Sequence, residues 1–378
     1  MSARVYLDHN ATSPLRPEAR RAMEPYFGEA FGNAESLHFH GQQAKAGLER
    51  ARRTCAGVLG CDPREVVFTS GGTESLNLAL RGIAWARRLT GKGMRIVLSG
   101  LEHAAVRETA RSLEDQGFDL VVVQPLADGR IDPARFASAL DDWTAAAALM
   151  YANNETGVIQ PVSEALEACR HLRIPLVVDA VQAPGRLPLN FGPHGPAALA
   201  LSAHKFEGPK GAGLLRLKAG TLYQSHASGG GHEGGARAGT HNLAGIAGLA
   251  EALRLAEAER EAETARQGAL RAEFEAQLKA AVPGLAIHGE AAPRLCNTVY
   301  VSIPGQASET LVNALDLEGI SVSSGAACSE GTHTESFVLR AMAADDAQVR
   351  SAVRFSMGRS TSADDLRRAV ECLKQKVS

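Results

Sequence analysis

Between residues 65 and 225, short apolar runs alternate with stretches of helical spacing, and no other feature narrows the fold as much. The runs lie at 65–69, 95–99, 120–124, 147–151, 175–179, 198–202 and 213–217. Several are apolar without interruption, the pattern of strands buried on both faces. The stretches between them, such as 75–89 and 162–172, have the length and spacing of crossover helices. A chain that repeats strand and helix in this way builds a large, mostly parallel α/β sheet covered on both sides.

The texture changes near Asn242. Residues 243–281 are rich in Ala, Glu, Leu and Arg, have apolar positions at helical spacing and contain no proline. They read as one or two long helices leaving the sheet. Strand-like runs at 297–302, 320–323 and 352–356, with helices near 308–317 and 363–375, then fit a smaller α+β domain. The expected division is a large domain over 15–250 and a small one over 251–378, joined by the N-terminal segment 1–14. The glycine-rich stretch 228–240 reads as a flexible linker or a functional loop, and its embedded His232, Arg237 and Thr240 favour the loop.

Charge excludes some partners. Lys plus Arg number 40 against 42 for Asp plus Glu, so no global field attracts nucleic acid or anionic lipid. No apolar run reaches the length of a membrane span, and the N-terminus lacks the apolar region of a signal peptide. A cytoplasmic protein with no direct nucleic-acid or membrane partner is expected. The six cysteines are scattered without zinc spacing, so no metal site is expected and free thiols are the default. His38 and His40, two residues apart, lack a ligand set around them and read as loop or packing residues.

The chemistry lies at the ends of the apolar runs. Open α/β sheets bind ligands at the carboxyl ends of their strands. Lys205 follows the run 198–202, between Ser202-Ala203-His204 and a Gly/Pro turn. An amine so placed, held near a phosphate, suits a Schiff base with pyridoxal phosphate. Asp179 ends another run, with Gln182 three residues on, and a carboxylate there keeps a pyridine nitrogen protonated. His103 follows the run 95–99 and suits stacking on a planar ring and proton transfer. Asn153 and Asn154 supply amides after the run 147–151, and Thr69-Ser-Gly-Gly-Thr-Glu-Ser75 places glycines and Thr73 where a helix N-terminus can meet an anion. Each residue alone has a bland reading as a cap or packing group; their joint occurrence does not. Far downstream, Cys328 sits among small and polar residues, Ser323-Ser-Gly-Ala-Ala-Cys-Ser-Glu-Gly331, which suits a thiol on a loop better than a core cysteine.

The set Tyr6-Leu-Asp-His-Asn-Ala-Thr12, Thr69 to Ser75, Glu102-His103, Asn153-Asn-Glu-Thr-Gly157, Val178-Asp-Ala-Val-Gln182, Ser202-Ala-His-Lys205 and Arg354-Phe-Ser-Met-Gly-Arg359 resembles the cysteine desulfurases of the NifS/IscS type. The resemblance spans nearly the whole chain in order. It implies the aspartate-aminotransferase-like fold type I of pyridoxal-phosphate enzymes, class V, and a homodimer. Lys205 would then form the Schiff base, and Gly72, Thr73, Ser202 and His204 would hold the phosphate, with Thr240 reaching in from the second subunit. Asp179 would pair with the ring nitrogen, Gln182 with the phenolic oxygen, and His103 would stack on the ring. Asn154, also beside the cofactor, and Arg354 would clasp the substrate carboxylate.

The implied reaction removes sulfur from L-cysteine, giving L-alanine and a persulfide on Cys328, which passes to an acceptor protein. A free thiol near pKa 8.5 is only about a few per cent ionised at neutral pH, so a proton acceptor is needed. His103 is the first candidate and His333 a weaker one. Three departures bear on the acceptor. The segment 328–336 is more acidic than is usual in the family, Gly234 stands where an arginine is frequent, and the chain ends at Ser378, soon after its last helix. An iron–sulfur scaffold and a tRNA- or cofactor-thiolation protein are thus both open as acceptors. The rivals are another class V enzyme, such as an aminotransferase or selenocysteine lyase, and a degenerate member serving as an interaction platform.

Overall fold

The structure is a computed structural model that describes residues 4–325 and 335–377. Its strands, in chain order, are β1 (Val5–Tyr6), β2 (Val66–Thr69), β3 (Arg95–Ser99), β4 (Asp119–Val123), β5 (Thr144–Ala148), β6 (Leu176–Asp179), β7 (Ala198–Ser202), β8 (Gly213–Leu217), β9 (Ala286–Ile287), β10 (Thr298–Ser302), β11 (Ile320–Ser321) and β12 (Ala352–Ser356). Strands β2 to β8 form one sheet in the order β2-β8-β7-β6-β5-β3-β4, and β8 runs antiparallel to both its neighbours. The remaining strand pairs in this sheet are parallel, as the run-and-crossover pattern requires.

Side chains alternate across the sheet with period two, and the two faces collect separate cores. Val97, Ala147, Val178, Leu199 and Leu201 face one cluster, where Leu48, Cys55 and Leu59 of helix Phe39–Leu59 and Val162 and Cys169 of helix Val162–His171 pack. Ile96, Leu98, Ala146, Ala148, Val177 and Ala200 face the other, covered by Leu76, Leu80 and Ile83 of helix Gly72–Leu89. Both faces are buried, which is why these strands carry no polar alternation.

The stretch 243–281 is one helix, Leu243–Ala281. Its first turns bury Ile246, Leu249 and Leu253 in the first cluster, beside helices Pro17–Met23 and Phe39–Leu59, whereas Phe274 and Leu278 enter a third cluster with Val299, Val301, Val353, Phe355 and Leu373. Phe274 meets Phe355 edge-on, ring centres 5.3 Å apart. Strands β12, β10 and β9 and the helices Ser308–Leu317 and Ala363–Val377 surround this cluster, and β1 joins it by pairing with β11.

One run differs from expectation. The run at 147–151 is replaced by β5 over Thr144–Ala148. Four alanines, a residue of low strand propensity, fill the ladder after Thr144, and all five residues of the strand are buried. The chain stays hydrogen-bonded to β6 beyond Ala148, since Leu149 N donates to Val177 O (3.1 Å) and Tyr151 N to Asp179 O (2.8 Å).

Candidate active site

A cavity of about 320 Å³ opens at the carboxyl ends of the parallel strands. It is lined by Gly72, Thr73, His103, Asn154, Asp179, Gln182, Ser202, His204, Lys205 and Arg354, all singled out in the sequence. The fold explains the convergence. Asp179 is the last residue of β6, Ser202 the last of β7, and His103 caps helix Ala104–Glu114 just past β3. Because β8 is reversed, Gly213 sits between Thr69 and Ser202, and a Cβ on it would lie 2.5 Å from Gly71 Cα. Glycine there lets the turn 70–72 close over the strand ends. Gly72 then begins helix Gly72–Leu89, so N–H groups of its first turn, free of intrahelical partners, lie at the cavity wall.

Burial sets the charges. Lys205 Nζ donates to the carbonyls of Asn10 and Ala11, both at 2.7 Å. His204 Nδ1 lies 3.2 Å from Thr12 Oγ1, and burial, followed by the charges of Lys205 and Lys210, pushes its pKa down to about 4, so the ring is neutral at pH 7. Burial pushes the Asp179 carboxyl up, opposed by His103, by the Val181 N–H at 3.0 Å and by Lys205. His103 Nδ1 accepts from Ala105 N at 3.1 Å, which in the neutral ring places the hydrogen on Nε2.

Arg354 reaches the cavity from the middle of β12. It donates from Nη2 to Asp8 Oδ1 (2.7 Å) and from Nη1 to the Asn154 carbonyl (3.0 Å). Among the described residues, its Nε is buried without an acceptor. A buried guanidinium with a spare donor is a costly arrangement unless an anion visits it. An amine, a strand-end carboxylate, an anion cradle at a helix N-terminus and this arginine together suit a phosphate-bearing carbonyl compound and a carboxylate substrate.

Thr240 is exposed and does not line the cavity. Its loop is no free linker, because Glu233 fastens it to the sheet domain. Arg52 donates to both Glu233 oxygens at 2.8 Å, Phe68 N donates at 3.0 Å, and His241 Nε2 lies at 2.7 Å. Cys328 and His333 lie outside the described residues.

Residues 5–369 match the aminotransferase class-V family. The chain belongs to that family. Among its class-V relatives, cysteine desulfurase IscS of Dictyoglomus turgidum is 38% identical over 99% of this chain and 95% of the relative. Cysteine desulfurase IscS of Methanosarcina thermophila is also 38% identical, over 97% of this chain and 90% of the relative. A solved NifS-like protein shares the fold with a TM-score of 0.92 at 32% identity, covering 99% of both chains. SspA, solved in complex with cysteine, gives 0.81 at 29% identity over 93% of this chain and 98% of its own. The NifS/IscS resemblance read from the motifs holds across the whole class-V chain.

Two further groups of this class-V site escaped the sequence reading. Asn10, 1% exposed, donates from Nδ2 to Thr298 Oγ1 (2.9 Å) and the Asn154 carbonyl (3.1 Å), and its Oδ1 accepts from Asn297 (3.0 Å). Its carbonyl serves Lys205 and Gln182. The polar run Asp8-His-Asn-Ala-Thr12 after a strand was the available signal. Glu102 is fully buried behind His103, where burial lifts its carboxyl to about 8 despite bonds from Ser99 Oγ (2.6 Å) and Met150 N (2.7 Å).

Proposed function

We propose that this chain is a pyridoxal-phosphate-dependent cysteine desulfurase. It removes sulfur from L-cysteine to give L-alanine and a persulfide on Cys328, which is passed to an acceptor protein for iron–sulfur cluster assembly or for tRNA or cofactor thiolation. The observation that carries the reading is that Lys205, Asp179, His103 and the Gly72–Thr73 helix N-terminus share one cavity. The residues present fit the cofactor. The cavity offers an amine for an imine, a carboxylate for a ring nitrogen, uncommitted N–H groups for a phosphate and an unsatisfied Arg354 Nε for a carboxylate. Bound there, the cofactor supplies an electron sink for the charge left when a carbon loses a proton.

The protein's own groups do the rest. Gly72, Thr73, Ser202 and the neutral His204 hold the phosphate, Asp179 keeps the ring nitrogen protonated, Gln182 meets the phenolic oxygen and His103 stacks on the ring. The Asn10 and Ala11 carbonyls aim Lys205 Nζ, which moves the proton at the substrate Cα. Asn154 and Arg354 fix the substrate carboxylate, and a planar Arg fork does so with two bonds. His103 handles the proton of the Cys328 thiol. The sum balances: a C–S bond breaks, an S–S bond forms on Cys328, and the thiol proton ends on the carbon of alanine.

The same reading includes a homodimer. Phe27, Phe31, Leu37 and Phe39 are exposed together along one N-terminal stretch, an apolar surface that a second copy would cover. Thr240, outside its own cavity, would then complete the partner's phosphate site. The division at residue 250 belongs here too, supported by the third cluster being separate from the two sheet cores. Free thiols at Cys55, Cys61, Cys169, Cys296 and Cys372 support a reducing compartment, the cytoplasm. Among the described residues, no helix is long and apolar enough to cross a membrane and no cluster suits a metal ion.

The test is to incubate the protein with L-cysteine and follow alanine together with sulfane sulfur on Cys328. Equal amounts in the first turnover, both lost in Cys328→Ala while the cofactor stays bound, are expected. Turnover that survives Cys328→Ala would make the protein a different class-V enzyme.

A further inference from the structure

At the opposite pole of the sheet, by the amino ends of β6 and β7 and the carboxyl end of β8, lies a second and larger cavity of about 450 Å³. Arg87, Lys92, Arg170, Arg173, His194 and Lys218 line it, and no Asp or Glu does. This is not general basicity, since the chain carries a net charge of −2. We propose that this cavity binds a small organic phosphate of nucleotide size, at a site separate from the catalytic one.

The cations there have few and weak partners among the described residues. Among the described residues, Arg170 alone has an ion pair, a loose one with Glu167 at 4.0 Å. Lys218 Nζ reaches only the Gly195 carbonyl at 3.4 Å. Arg87 is the sharpest case. Its Nη2 touches the Thr144 carbonyl at 3.4 Å, and its buried Nε meets no acceptor among the described residues. Burial lowers its pKa with no carboxylate to offset the effect. A half-buried guanidinium left in this state destabilises the fold, and an anion accepting from it relieves the cost. Guanidinium forks and ammonium groups gathered around one concavity match the charge and oxygen geometry of phosphate.

The remaining lining selects against a bare inorganic ion. Leu166, Ile174, Pro175, Leu176 and Leu222 add apolar lining to the cavity, and Thr221 adds a hydroxyl. A volume of about 450 Å³ falls in the range of small-molecule sites. A molecule that carries both an apolar body and phosphates meets both kinds of lining. The concave shape favours such a molecule over the extended backbone of RNA.

The experiment titrates a fluorescent N-methylanthraniloyl-ADP probe into the holoenzyme, whose catalytic cavity is filled by its own cofactor. Saturable binding of one probe per chain is expected, displaced by ADP and not by adenosine. Arg87→Gln and Lys218→Gln should each weaken it by about tenfold, the loss typical of a charge-assisted hydrogen bond, and Arg111→Gln, on another helix, should not. Lys218→Gln, at the rim, keeps the test available if Arg87→Gln does not fold, and basal turnover should be unchanged in Lys218→Gln. No saturable binding, binding indifferent to both substitutions, or equal competition by adenosine would overturn the proposal. So would displacement by excess pyridoxal phosphate, or tighter competition by a short RNA than by ADP.

Discussion

Glutamine at position 233 should damage the protein in a way that depends on pH. The Glu233 side chain is 1% exposed. Burial by itself raises its carboxyl, but hydrogen bonds from Arg52 and His241, the Arg52 charge and the Phe68 N–H outweigh it and hold the pKa at about 2. A fall from the ordinary 4.5 to about 2, at 1.36 kcal/mol per pH unit, corresponds to about 3 kcal/mol of folding stability. The folded value lies below the unfolded one, so this stabilisation is complete above 4.5 and drains away as pH falls toward 2. Glu233→Gln keeps the shape, removes the charge and strands Arg52, so it should cost about 3 kcal/mol at pH 7. Urea denaturation of wild type and variant at pH 7 and pH 3.5 measures the gap, which should narrow to about 2 kcal/mol at the lower pH. The glycine-rich loop should also loosen, and if Thr240 completes the partner's phosphate site, cofactor should leave the variant faster. A gap below about 1 kcal/mol at pH 7, or one equal at both pH values, would refute the anchoring argument.

Arg354→Lys keeps a charge but loses the planar fork, and KM for L-cysteine should rise about 10- to 100-fold with kcat less affected; steady-state kinetics with an unchanged KM would remove Arg354 from substrate binding. Glu102 works in the opposite sense to Glu233: its folded value near 8 lies above the unfolded 4.5, so stability is full below 4.5 and erodes as pH rises toward 8. Glu102→Gln should therefore gain on wild type between pH 5 and pH 8, by up to about 4 kcal/mol, and urea midpoints at the two pH values measure it. Lys205→Ala should remain folded and lose borohydride trapping of the cofactor, read by mass spectrometry; trapping that persists would place the imine on another amine.

The strand ends were legible because their signals are local. A run buried on both faces must be apolar, and a polar residue at its carboxyl end has nowhere to go except the crevice, as Asp179, Ser202 and Lys205 show. The register of β5 was harder, since an alanine run followed by Leu149-Met150-Tyr151 is apolar throughout and periodicity cannot place its ends. Helix Phe39–Leu59 was passed over for a related reason: Gly41, Ala44, Gly47 and Ala51 lie on its buried side, so its packing face is too small-chained to stand out from its basic surface. The role of Asn10 was hidden for a different cause, although its polar run was visible. It gathers Asn154, Thr298 and Asn297 from 144 to 288 residues away, and no window of sequence contains the partners that give an asparagine this function. Its two carbonyl guests, Lys205 and Gln182, are residues the sequence did offer, so a motif read at strand ends names the reacting groups before it names the frame that aims them. That order has a physical basis. Reacting groups must face a cavity and so sit where secondary structure stops, whereas the frame must satisfy every buried donor and acceptor and is assembled only when distant segments meet.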